Sequence, residues 1–149
     1  MPRNSATYVE RAVVARWKAF PPLVALVPAA RIFPQQRPPL PQWPFVAFGS
    51  PIVRGFSASC LDGSIVEFAG HAFAETDGQG GETVMGATHA GEIAQAMCDA
   101  LAEPVRLEPY GCPYPAMAYP LWIRTQVIQD GTEADRFHAI ISFEATVSS

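Results

Sequence analysis

At 149 residues, with 49% hydrophobic and only 16% charged side chains, the chain has enough apolar mass for one core, which at this size removes roughly 68–70% of the unfolded surface from water. A formal net charge of −4 and ten scattered basic residues exclude a protein that holds nucleic acid by neutralising phosphates, which needs clustered Lys and Arg. The light surface charge leaves apolar area for contact with other chains, so assembly is expected.

The first organised piece is Ser5 to Phe20. Ser5 is placed to cap a helix, and Val9, Ala12, Val13, Trp17 and Phe20 recur at helical spacing, leaving Glu10, Arg11 and Lys18 mostly on the other face. Pro21 and Pro22 stop it. LVALVPAARIF, broken by Pro28, reads as a turn-containing connector. In PQQRPPLPQWP, residues 34–44, locked torsions and missing amide hydrogens favour an extended path that lies across a surface and stays out of a central ladder. Residues before proline are pushed toward extended torsions too, so this strap is stiff and loses little entropy on docking. Pro44 then positions the strand FVAF.

Two further strands, Ile52 to Ser59 and Ser64 to Glu75, flank Leu61-Asp62-Gly63. Asp-Gly tolerates positive φ, so a long antiparallel hairpin turning there is expected. Polar DGQGGE, Asp77 to Glu82, leads to a helix from about Thr83 to Leu101 with a small-residue stripe at Ala90, Ala94, Met97 and Leu101, and Ile93 and Cys98 beside it. After a proline- and tyrosine-rich stretch, Leu121 to Asp130 and Arg136 to Val147 read as strands. In the second, Phe137, Ala139, Ile141, Phe143, Ala145 and Val147 share one face. The order implies an α+β fold: a mostly antiparallel sheet with two helices packed on one face and a long β-hairpin, all in a single domain 1–149 that includes the strap 34–44.

No stretch of about 18 apolar residues could span a bilayer, and the first residues lack a leader pattern, so no membrane contact is expected and the chain should remain where it is made. Cys60, Cys98 and Cys112 are odd in number and fit no disulfide framework or zinc-ligand spacing, which leaves reduced thiols. Cys60 with His71 lacks the third orienting group of a catalytic triad. His71, His89 and His138 with Glu67, Glu75 and Glu92 form no paired metal-ligand motif, so solvated surface histidines are expected. GQGGE lacks the Gly-Lys-Ser/Thr ending of a phosphate loop. RPPLP, Arg37 to Pro41, matches a proline-ligand motif but sits between core elements. No catalytic, cofactor-binding or metal residue is therefore assigned. Tyr110, Tyr114 and Tyr119, on a proline-stiffened loop, suit an interface as well as they suit self-packing, and Arg54 and Phe56 are further interface candidates.

The segment ARIFPQQRPPLPQWPFVAFG, in the style of "RI(Y/F) … P … LP(Y/F)VVFG", joins an Ala/Val-rich N-terminal helix, a hairpin, a second helix and a final strand RFHAIISFEATV. From about Val9 to Val147 this pattern resembles the small phage tail-completion proteins with the DUF3168 domain, the tail terminators of long-tailed phages and gene transfer agents. The resemblance implies a structural virion protein, not an enzyme, made in the host cytoplasm. It would form a hexameric ring at the head-proximal end of the tail and need no cofactor. Its partners would be its own copies, the major tail tube protein and the head-tail connector or stopper protein. DNA would pass through the lumen without specific binding, and Asp77 and Glu82 facing that path would repel phosphate. The alternatives are a head-closure or other tail-completion subunit of the same junction, a small cytoplasmic hydrolase or ligand-binding domain, and an adaptor bound through RPPLP.

Overall fold

The computed structural model describes residues 5–58, 61–76, 85–131 and 136–148. Helix α1 spans Ala6–Ala19, the single-turn α2 Pro21–Val24 and α3 Gly86–Ala100. The strands are β1 Ile32–Phe33, β2 Phe45–Ala58, β3 Leu61–Glu75, β4 Val105–Arg106, β5 Met117–Gln129 and β6 Arg136–Ser148. They form one sheet in the order β1-β2-β3-β6-β5-β4. Only the short β1 runs parallel to its neighbour; every other pairing is antiparallel. The α+β fold expected from the sequence is what is found, and β6, the last strand in chain order, lies in the middle of the sheet.

Alternation along β3 and β6 decides which face is dry. Ser64, Val66, Phe68, Gly70, Ala72 and Ala74 are buried, as are Ala139, Ile141, Phe143, Ala145 and Val147, while the residues between them are half-exposed except Phe73, which is buried on the other face. The dry face carries an aromatic stack across three strands. Phe48 lies 4.9 Å from Phe68, and Phe68 lies 5.2 Å from Phe143.

Onto this face α1 packs Val9, Ala12, Val13, Val14 and Trp17, and α3 packs Ala90, Ile93, Ala94, Met97 and Ala100. The two helices meet where the Trp17 indole N–H donates to the Met97 carbonyl at 3.2 Å. Beneath them the sheet offers Gly70. A Cβ there would come within 2.6 Å of Met97 Cε and 3.1 Å of the Trp17 ring, so the absent side chain is what lets the helices sit so close.

Several local readings change. Ser5 does occupy the position before α1, but its side chain makes no capping bond. Its Oγ instead meets Ser64 Oγ at 2.7 Å, pinning the helix start to β3. Pro21 and Pro22 end α1 and also open α2, where the missing amide hydrogens have no partner to lose. The expected strands FVAF and Ile52–Ser59 are one strand, β2, with a register shift between Gly49 and Ile52, where Ser50 takes a φ of 51°. The hairpin does not turn at Asp62-Gly63: Asp62 pairs with Ser57 and Gly63 with Phe56, inside the ladder. The last described pair is Ala58 with Leu61, and Ser59 and Cys60 lie outside the described residues. The expected helix start at Thr83 also lies outside them.

Gly70→Val is expected to cost about 1–3 kcal/mol through overpacking against Trp17, measured as a lower urea midpoint at unchanged slope. Gly55→Val is the control. An added Cβ there meets nothing within 4 Å, so the change should stay within about 0.5 kcal/mol.

Candidate functional site

The features that face outward are the two sides of the sheet and the face away from the helices. β4 pairs only with Ala118 and Met117, and β1 only with Val46 and Ala47. Among the described residues, Leu121–Gln129 of β5 therefore has β6 on one side and no strand on the other. Ser50–Ala58 of β2 likewise has only β3. Every residue from Leu121 to Gln129 is exposed, including Leu121 at 60%, Trp122 at 55% and Ile123 at 49%. Val127 and Ile128 add to an apolar strip. Trp122 is held by an N–H donated to Thr125 Oγ1 at 2.8 Å, and with Thr125 it borders a groove of about 360 Å³ against Ala94, Gln95 and Cys98 of α3. Nine residues of backbone donors and acceptors on an apolar strand form a template for another strand.

On the outer face a groove of about 490 Å³ runs between β2 and β5, with Ile52, Ala69 and Ile123 among its walls and Glu67, Arg124 and Glu144 as its charges. Glu67 and Glu144 are direct cross-strand partners. Like charges opposite one another are destabilising. Arg54 bridges them, at 3.4 Å to Glu67 and 3.5 Å to Glu144. All three side chains are substantially exposed, so each contact is worth no more than about 1 kcal/mol.

At the other end of the same face, aromatic rings and two histidines cluster beneath residues 34–44. Phe45 stacks on Phe73 at 4.3 Å, and Phe73 on His138 at 4.0 Å. Trp43 meets Phe45 and Phe73 edge-on at 5.5 and 5.6 Å. The Arg37 guanidinium lies 5.3 Å from the Phe45 ring centre and 5.0 Å from that of Phe73, and Arg136 lies 5.1 Å over Trp43. Arg31 donates to the Trp43 carbonyl and to Gln42 Oε1, and the Gln35 amide donates to Glu10 Oε2. His71 Nδ1 and His138 Nε2 share a hydrogen bond of 2.8 Å. The expectation of solvated surface histidines is corrected here: both rings are half-buried and paired with each other. Burial, aided by Arg37, lowers the His71 pKa. Burial, and then the neighbouring His71, lowers His138 to about 4, with Asp130 pulling the other way and Arg37 adding a smaller push down.

The sequence-assigned interface residues scatter. Arg54 is in the outer groove. Phe56 is on β2 at the position opposite Gly63. Tyr110 and Tyr114 are half-buried against the core, and the Tyr110 carbonyl accepts from Arg11 at 3.3 Å. Tyr119 is 46% exposed, on β5 beside the apolar strip. Asp77 and Glu82 lie outside the described residues, as does Cys60, so the Cys60 and His71 pairing has no geometry to describe. Cys98 is described, and burial with the nearby Asp99 carboxylate pushes its thiol up to about 11. Among the described residues no group of three or more His, Cys, Asp or Glu could hold a metal ion.

The strip on β5 had a signal that strand periodicity did not use. Leu121-Trp122-Ile123 and Val127-Ile128 are adjacent apolar residues, which a strand with one wet face does not need. The histidine pair had none, because 67 residues separate its members and only the β3/β6 register brings them together.

A family model described as Tail completion protein gp17 matches residues 11–148. No curated protein matches the chain. Among solved structures, a chain from "Virion of native gene transfer agent (GTA) particle" is similar at 21% identity and a TM-score of 0.76, with 99% of this chain and 100% of that one covered.

The raised Cys98 value sets a chemical expectation. Alkylation of native protein at pH 8, followed by peptide mass spectrometry, should modify Cys98 about a hundredfold more slowly than in the urea-unfolded chain, because the thiolate reacts and the thiol does not.

Proposed function

The chain belongs to the Tail completion protein gp17 family, structural proteins of phage-type particles, and from that premise we propose that it is a tail terminator. On this reading the single 149-residue domain forms a ring of six copies. The ring caps the major tail tube protein, joins it to the head-tail connector or stopper protein, and performs no chemistry of its own.

The observation that carries the reading is the pair of unlike open edges on one sheet. A closed ring needs a head-to-tail contact between two different surfaces of the same chain. β5 and β2 supply two different surfaces on opposite sides. β2 and β6 run one way and β3 and β5 the other. Copies related by rotation about an axis along the strands therefore bring β5 of one against β2 of the next in antiparallel orientation, the pairing that needs no crossover. Burying Leu121, Ile123 and Val127 in that contact supplies the apolar driving force. Arg54 and Phe56 lie on the receiving strand, and Tyr119 lies on the donating one beside the apolar strip. Tyr110 and Tyr114 act on this reading through the loop that supports β5, and Asp77 and Glu82 keep the DNA path repulsive to phosphate.

Ile123→Asp with Val127→Asp should leave the circular dichroism unchanged and shift any ring to monomer in size-exclusion chromatography and electron microscopy, with association weakened at least about tenfold by two buried charges. In particles, deletion of the gene should give abnormally long tubes unattached to filled heads. Tails of normal length that fail to join heads would assign the chain to head closure instead, and normal particles would remove it from the tail.

A further inference from the structure

The hydrogen bond between His71 and His138 needs one imidazole nitrogen to offer a lone pair. Doubly protonated rings have only donors and cannot make it. A single added proton places a cation beneath the Arg37 guanidinium, which already occupies the faces of Phe45 and Phe73. The Nε2 edge of His71 fills the space that a side chain at position 49 would take, since a Cβ on Gly49 would lie 2.6 Å from it.

We propose that residues 34–44 form a strap released by protons: a charge on the His71–His138 pair and the Arg37 guanidinium compete for one place on the outer face, and acid lifts the segment off its aromatic bed. The groups facing the pair are few. The strap contributes Arg37, and the end of β5 contributes Asp130, which favours a protonated His138. β3 and β6 contribute Glu75 and Arg136, joined to each other at 3.4 Å. Gly49 and Ser50 of β2 carry no charge.

With the strap down, burial holds both histidines below their ordinary value of 6.5, helped at His71 by Arg37 and at His138, at about 4, by His71 and more weakly by Arg37. Lifting the strap removes Arg37 and rewets the rings, so both values move back up. The lifted state therefore binds protons more readily, and docking weakens as pH falls from 6.5 toward 4 by up to about tenfold per pH unit through His138, with His71 acting in the same direction. Well above 6.5 neither ring is charged in either state and the dependence vanishes.

The test is nuclear magnetic resonance of the whole ¹⁵N-labelled chain between pH 7 and 4.5. Heteronuclear Overhauser effects at the amides from Gln35 to Trp43 should collapse on acidification while those of β3 and β6 hold. His138→Phe keeps a ring against Phe73 without a titrating nitrogen, and should reduce the change in the docking equilibrium at pH 5 at least tenfold. Arg37→Gln should let His138 titrate at higher pH. A strap that stays ordered to pH 4.5 in the natural protein overturns the proposal. So does the same release in a folded His138→Phe variant, or an unmoved His138 titration in Arg37→Gln.

Discussion

Trp17 holds the two helices to the sheet at a point where the sheet has no side chain. Its indole N–H satisfies the Met97 carbonyl, and its ring lies over Gly70. A buried Trp without a partner for that N–H would lose about 1–3 kcal/mol to desolvation, so the bond and the glycine gap must be kept together. Once they are, α1 and α3 share one plane of contact. The Phe48–Phe68–Phe143 stack then has a lid, and the opposite face is left without one. All that faces other molecules follows from this one-sided cover.

The uncovered face solves its exposure in two ways. Near Arg54 it is charged, with a guanidinium neutralising a pair of facing carboxylates. Near Arg37 it is aromatic, and the covering comes from a proline-rich segment in place of a third helix. Prolines suit that task because the segment makes no ladder and needs few of its amides bonded. What fastens it are side-chain contacts: Arg37 on two rings, Trp43 edge-on to the same two, and the Gln35 amide on Glu10 of α1.

The elements governed by a single strong periodicity were legible in the sequence. α1 shows its stripe at Val9, Val13 and Trp17, and β6 alternates without a break from Ala139 to Val147, because in both the buried face is decided by one neighbour. The hairpin turn was not legible. Asp62-Gly63 is a strong local turn signal, but pairing of β2 with β3 across twelve residue pairs carries both residues inside the ladder and outweighs the preference of one dipeptide. Ser5 was legible in position and not in use, since a hydroxyl that can cap a helix can equally reach Ser64, 59 residues away. The outward sites were least legible. Exposure of Trp122 and Ile123 depends on how far α3 and β4 extend over β5, and the histidine pair depends on register, neither of which local pattern encodes.

The place of β6 in the sheet has a consequence for biosynthesis. This last strand in chain order sits between β3 and β5, so on a ribosome the first hairpin and both helices emerge before the strand that completes their dry face. Until it arrives, β3 and β5 each present an unpaired edge to solvent, and long-range pairing of this kind closes slowly. Folding is thereby tied to completion of synthesis through β6, and a truncated chain cannot enter a particle with a finished sheet.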